Sequence, residues 1–472
     1  MTAALRHAQH EGAVRATIQM WRSFVGLAAL GIAVLLGFQV LALPPDTNAI
    51  VHVAVLGAAA AAQVKPAVAL DTAQGYTYVA IGDGRHIAIL DTRTGALRRT
   101  LSIGGLTGPG IAILTPWLAV DPAAGHLFVL VDALGFTRPV WRLFMLDTMS
   151  GRVLRTVTLP TPPTASWYLL GSPITVDPRD GHVFVNSVGT RLLNMFDART
   201  GRLLRSITIG PASQRAGQPG FLGTTVDEQT HRVFVSDVSS GTVTVLDALS
   251  GRVLRVVVVG PDPGAPAIDA QAGQVIVSSS GSGRVSALDA RTGRLLHVVD
   301  RGASGGNYSV IDGSTERIVN ISAAESRVDM RSSMTWRLLQ SVSVRGRPID
   351  MAVDGHSGAV FVLSLGLPPH SSSVMANSSL RVSGFDTVTV LDGQTGTIRR
   401  TIAIAQGDGL IFIDARLGRA VVVTSGGSVP AMQDPWGWVP LGLRRVLPLL
   451  PRPIPRQTGP VITATFIDIR RL

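Results

Sequence analysis

The residues that could do chemistry in this chain are few, and each is limited by its surroundings. There is no cysteine, which removes thiolate nucleophiles, thioether-linked cofactors and disulfides. Lys65 is the only lysine, so phosphate-loop and Schiff-base chemistry could arise at that position alone. GASGG, residues 302–306, matches G-x-S-x-G but lies in a connection between repeats. It lacks the strand-to-helix elbow that strains and exposes a nucleophilic serine. His126, His182 and His231 recur at one turn position and read as surface residues. His86 and His370 could approach one face together, with no carboxylate beside them and no H-E-x-x-H in the chain, so neither a metal nor a cofactor is expected. What remains is a set of aromatic and arginine side chains in irregular segments: Trp141, Trp167, Tyr168, Arg215, Tyr308, Trp436 and Trp438. Rings beside guanidinium groups suit stacking on sugars, other ring-bearing ligands or a protein partner. The competing reading is that they plug the mouth of a ring.

The elements that must position these residues are repeats. Asp71, Asp121, Asp177, Asp227, Asp269, Asp312, Asp354 and Asp414 each close a short apolar run such as LAVD or ITVD. A glycine-bearing turn follows, then a run such as HVFVNS, a variable stretch, and a third run ending in LD or FD. A D-x-x-T/S-G turn and a final run such as RLLRSITIG complete the unit. In those turns the aspartate accepts backbone N–H groups just ahead, and the glycine takes the left-handed conformation that closes the hairpin. Four short strands per unit are the signature of a propeller blade, and the units number eight. In the sixth, Ser332 stands for the aspartate and Trp336 for the glycine, which predicts a reshaped turn.

The pattern VDxxxGxVFV…VxVLDxxTGxxxRTIxxG resembles the YVTN-type propeller repeat over residues 51–472, which implies an all-β propeller of a secreted or surface protein, similar to surface-layer propellers. Many members of that family have seven blades, so seven is the alternative to eight. The resemblance is specific for fold and silent on activity. The eighth unit lacks an outer strand, and the run IVHVAV at 50–55 precedes the first unit. Pairing these two ends would seal the ring and protect an open edge.

Tight turns then fall on one uniform face, and the variable connections on the other. The irregular face gathers the aromatic residues above together with insertions at 364–386 and 426–460, and is the expected site of any function. Arginines such as Arg99, Arg155, Arg205 and Arg255 fall on outermost strands, where charge discourages edge-to-edge aggregation.

Upstream, FVGLAALGIAVLLGFQVLAL at 24–43 is long enough to cross a bilayer as a helix, and Arg6, Arg15 and Arg22 precede it. The expected organisation is a cytoplasmic segment at 1–22, a transmembrane signal anchor at 23–43, a linker at 44–49 and an exported propeller at 50–472. Secretion after signal cleavage is the alternative. The net charge of +11 would draw the protein to anionic lipid or envelope polymers, while export argues against nucleic acid. A membrane-tethered, non-catalytic binding or scaffolding module is the leading expectation. A propeller-type enzyme, such as a metal-dependent lyase or lactonase, and an envelope polyanion-binding protein are the alternatives.

Overall fold

The computed structural model describes residues 49–58, 67–81, 85–103, 112–134, 139–159, 172–187, 191–210, 222–300, 309–312, 314–323, 325–366, 386–404, 407–427 and 461–472. The region 23–43, read as a transmembrane helix, lies outside them. Among the described residues no helix is long and apolar enough to cross a membrane.

Residues Asp46–Leu472 form one compact unit. It is an eight-bladed propeller of four-stranded antiparallel sheets. Seven blades are built from consecutive strands, as in the third: Ile174–Asp177, His182–Ser187, Leu192–Asp197 and Leu203–Thr208. The eighth takes Asp408–Asp414, Arg419–Gly427 and Val461–Asp468 from the end of the unit and borrows its outer strand, Ile50–Ala58, from the beginning. Ile50 pairs with Ile467 and Ala58 with Val461, so the expected closure is present. Every strand of the unit is thereby held within it, and the unit carries what it needs to fold.

There is no single core. Alternate residues of each second strand point to opposite neighbours, so every blade is apolar on both faces. Phe128 packs toward the third blade and Leu127 toward the first. The buried apolar residues fall into eight clusters, each spanning one blade-to-blade seam. The closing seam sets Ala464 and Phe466 of the eighth blade against Val68, Val79 and Leu90 of the first.

Buried aspartates turn each first strand into the second. All eight are at most 4% exposed, and Oδ1 accepts backbone N–H groups two or three residues on. In three blades a hydroxyl also bonds Oδ2: Thr230 to Asp227, Thr315 to Asp312 and Ser357 to Asp354. Gln74, Ala124, Asp180, Ala272 and Leu417 occupy that position elsewhere, and Oδ2 of Asp71, Asp177, Asp269 and Asp414 has no hydrogen-bond partner among the described residues. Burial pushes the Asp71 and Asp177 carboxyls above the usual carboxylate range.

Outer turns hold their aspartates the opposite way. At Asp147, Asp197 and Asp289 the hydroxyl three residues on holds the carboxyl below its ordinary value. At Asp392 the Arg399 guanidinium takes it down to about 2.

Three expectations need correction here. The histidines are half-buried and bonded rather than free at the surface: His126 Nδ1 lies 2.9 Å from Ala198 O, His182 Nδ1 3.1 Å from Ala248 O, and His231 Nδ1 2.7 Å from Asp180 Oδ2. Each ties one blade to a neighbour: His126 and His182 open second strands and reach the next blade's outer turn, while His231, in the turn before Arg232, reaches back to the third blade. The outer-strand arginines do more than guard an edge. Arg99 donates to Thr148 O at 2.9 Å, Arg205 to Ser250 O at 2.8 Å and Arg400 to Arg471 O at 2.9 Å, each across a seam. Nor is the sixth outer turn reshaped. Trp336 sits at φ 63°, its N–H donates to Ser332 O at 2.9 Å as the glycine would, and Ser332 Oγ accepts from Thr335 N.

Trp336 is tolerated because of what faces it. In the other blades the turn glycine packs onto the preceding blade, where an added Cβ would lie 2.7 Å from Val245 at Gly293, or 2.8 Å from Phe466 at Gly95. The residue facing Trp336 is Ala287, at the strand position held by Val245, Met195 and Met145 in earlier blades. The indole fills that space and tilts against His297 at 6.0 Å. It completes the seam with the fewest buried apolar residues.

Two outcomes follow. Trp336→Gly should cost about 3 kcal/mol, the cavity outweighing relief of a left-handed backbone, and Ala287→Val alone about 1–3 kcal/mol by overpacking. Combined, they should recover at least half of the summed loss in chemical denaturation; additive losses would contradict the pairing. Deleting residues 50–58 should abolish the cooperative unfolding transition and produce aggregates, whereas a monomer of unchanged melting temperature would refute closure.

Candidate functional site

Strand direction fixes the two faces. The register sets Asp71 beside Tyr76 and Tyr76 beside Asp91, so the aspartate turns that follow first and third strands share one end of the sheets. The opposite end carries the blade-to-blade connections and the links between second and third strands. That face is less irregular than expected in the middle of the chain. Asp237–Thr242 and Ser279–Arg284 are tight turns, and Asp237 accepts Ser239 N and both neighbouring serine hydroxyls. Length is concentrated between Leu159 and Ile174, between Thr208 and Leu222, and in the segments inserted after Leu365 and Gly427.

Of the residues predicted to meet a ligand, Trp167, Tyr168, Arg215, Tyr308, Trp436 and Trp438 lie outside the described residues, as do Lys65, His370 and GASGG. Trp141 is described. It sits near the start of Pro139–Asp147, is 5% exposed, and stacks on Trp117 with ring centroids 5.2 Å apart and planes 14° apart. The pair packs with Leu130, Leu143, Leu159 and Ile174 in the seam between the second and third blades. Trp141 therefore belongs to a buried apolar floor at the end of the sheets where the fourth strand of the second blade finishes at Leu159.

A polar seam continues this floor. Asn186 Nδ2 donates to Thr224 Oγ1 at 2.7 Å and Thr225 Oγ1 to Pro266 O at 2.6 Å, joining the third, fourth and fifth blades. Ser309 receives Asn320 and contacts Ser278 across the next seam. Hydroxyl and amide groups in the low-dielectric wall of a ring rigidify it when their bonds are made.

Asp386 is the most perturbed group on this face, and sequence reading passed it over. It opens the third strand of the seventh blade, is 4% exposed, and accepts Gly366 N at 2.8 Å and Gly407 N at 2.7 Å. Those amides belong to the start of the seventh-blade insertion and to the connection into the eighth blade. The carboxylate thus staples both loops at their feet. Burial pushes it up to about 6 despite the two N–H donors, with Asp408 adding to the rise. An aspartate directly after the insertion, in GFD, was the only available signal. Among the described residues no group of three or more His, Cys, Asp or Glu could hold a metal ion.

Residues 140–349 match the family described as outer membrane protein assembly factor BamB. The matched stretch runs from the third strand of the second blade into the first strand of the seventh, and it supports placing the chain among propeller repeat proteins. BamB from Moraxella catarrhalis superposes with a TM-score of 0.44 at 18% identity, over 63% of this chain and 79% of that one. The computationally designed Ika8 protein gives 0.50 at 16% identity, over 78% and 96%. Dihydro-heme d1 dehydrogenase NirN in complex with DHE gives 0.51 at 14% identity, over 82% and 76%. The last two share the fold with this chain. Comparison with curated proteins returns no match.

Because folding raises the Asp386 pKa, its protonated form is the favoured one. Its contribution is fully present below about pH 4 and is lost as pH rises through about 6, a change of up to roughly 3 kcal/mol. Asp386→Asn should remove that component, so the stability difference between native protein and variant should change with pH between 4 and 7. A difference independent of pH would show that the carboxyl titrates normally.

Proposed function

We propose that this chain is an exported, membrane-tethered propeller of YVTN-type repeats that binds a protein or glycan partner on its irregular face and holds it without catalysis. The observation that carries this reading is the inequality of the two faces. One end of every blade is closed by a stereotyped aspartate turn, while the other gives rise to all the long segments. A scaffold varies where it binds and repeats where it only folds. The match of residues 140–349 to a family described as an assembly factor supports a protein partner over a small ligand.

In this reading Trp167, Tyr168, Arg215, Tyr308, Trp436 and Trp438 supply the contacts. Trp141 and Trp117 stiffen the seam on which the second blade ends, and Asp386 holds Gly366 and Gly407 together where the seventh-blade insertion begins. The apolar run at 24–43, with its upstream arginines, supplies the tether and sends the propeller to the extracytoplasmic side.

Two measurements on the full chain test these halves separately. Because cysteine is absent, Met149→Cys gives a single thiol at a side chain 73% exposed. A membrane-impermeant maleimide should label it in intact spheroplasts; labelling only after lysis would refute export. A photo-crosslinking residue at 167, 436 or 438 should give an adduct of one defined mass that Arg215→Ala or Tyr308→Ala diminishes at least threefold. Adducts no more abundant than those from position 258 on the outer rim would refute the binding face.

A further inference from the structure

The uniform face carries a pattern that folding alone does not require. The third residue of each outer turn projects from that face at the same place in every blade. Round the ring these residues are Arg93, Met149, Arg199, Leu249, Arg291 and Met334, completed by Gln394 and Arg470, and all eight are exposed. Basic and apolar tips therefore alternate through the first six blades. Met149, Leu249 and Met334 are 73%, 56% and 63% exposed, among the largest apolar exposures in the described residues. The guanidinium groups of Arg93, Arg199 and Arg291 make no hydrogen bond or ion pair among the described residues.

A second circle lies just behind. Each outer strand begins at this end, and exposed leucines there, such as Leu203, Leu295 and Leu338, follow exposed arginines such as Arg202, Arg294 and Arg337. Among the described residues the exposed acids on this face are Glu228 and Glu316. The turn aspartates stay ionised, but they are half-buried and drawn into bonds with their own backbone and with hydroxyl or arginine donors, so the tips that project beyond them are basic or apolar.

We infer that the uniform face is a docking surface for a bilayer rich in anionic phospholipid. Three apolar tips carried at the same turn position on alternate blades are suited to entering a headgroup layer together. The arginines between them meet lipid phosphates, bidentate where the geometry allows. Charge complementarity supports this occupant, and so does the place where the propeller begins. Ala49 O accepts Asp468 N, so the first described residue of the propeller lies at this same face, beside Arg470 and Arg471. A protein partner would leave the periodicity unexplained, because a partner without eightfold repetition has no use for alternation around a ring. The inference rests on the reading that the protein works beside a membrane, and it is tested without the apolar run so that the two can fail separately.

The experiment uses residues 46–472 with vesicles of 30% phosphatidylglycerol in phosphatidylcholine, and with pure phosphatidylcholine, in a sedimentation assay. Binding to the anionic vesicles should exceed binding to the neutral ones at least tenfold and weaken as salt rises. Met149→Ser/Leu249→Ser/Met334→Ser should lose at least tenfold with an unchanged melting temperature, as should Arg93→Gln/Arg199→Gln/Arg291→Gln, whose backbone contacts are kept. Equal binding to both vesicles, no binding to either, or full binding by the serine triple variant would overturn the inference. So would loss of binding in Trp436→Ala/Trp438→Ala, which would put the opposite face on the bilayer.

Discussion

Everything in this molecule depends on the blade-to-blade seam. A four-stranded blade with apolar residues on both faces cannot be stable alone, and a row of such blades always leaves two faces bare. Closing the row into a ring is the one arrangement in which every face is covered. The eight apolar clusters, one per seam, are that solution written in side chains. Polar contacts follow the same logic. Histidines at the head of second strands and arginines on outer strands reach over the seam to carbonyls that the neighbouring turn leaves free. Closure by Ile50–Ala58 makes the last seam equivalent to the rest and links the two ends of the unit.

Repetition made the fold legible. A turn needs an acceptor and a left-handed residue at fixed spacing, so Asp and Gly recur where the backbone demands them, and eight blades could be counted directly. Contacts between repeats were less readable, because they join positions about fifty residues apart and no fixed spacing or residue pair marks them. Trp336 looked like a broken turn, since its partner, Ala287, lies in the previous blade and the backbone it adopts is the one glycine would have taken. His126 and His182 looked superficial for a similar reason. Their carbonyl acceptors carry no side-chain signature, so nothing in the letters announced them.

The candidate site was legible only as a region. Aromatic and arginine residues concentrate in connections whose end of the sheets is fixed by strand order. Trp141, the one described member of that set, belongs to a buried stack, because it lies within the strand that opens at Pro139, with Trp117 against it. Asp386 escaped notice since a lone aspartate at a strand start has no motif; only its two amide donors and its burial reveal it. The division of labour between faces is therefore a consequence of topology. One end of the sheets is fixed by turn chemistry and free to repeat a surface pattern, and the other is free to vary in length.

The central claim is that the strand at the start of the unit is an integral part of the last blade, so that the ring has no weak join. Native-state hydrogen exchange on the full chain reads this directly. The paired amides of Ile50–Ala58 should be protected to the same degree as those of Val461–Asp468 and of the fourth strands of other blades, and should open with them in one global event. Exchange of 50–58 at the rate of the exposed turns, while the other seven blades stay protected, would contradict it.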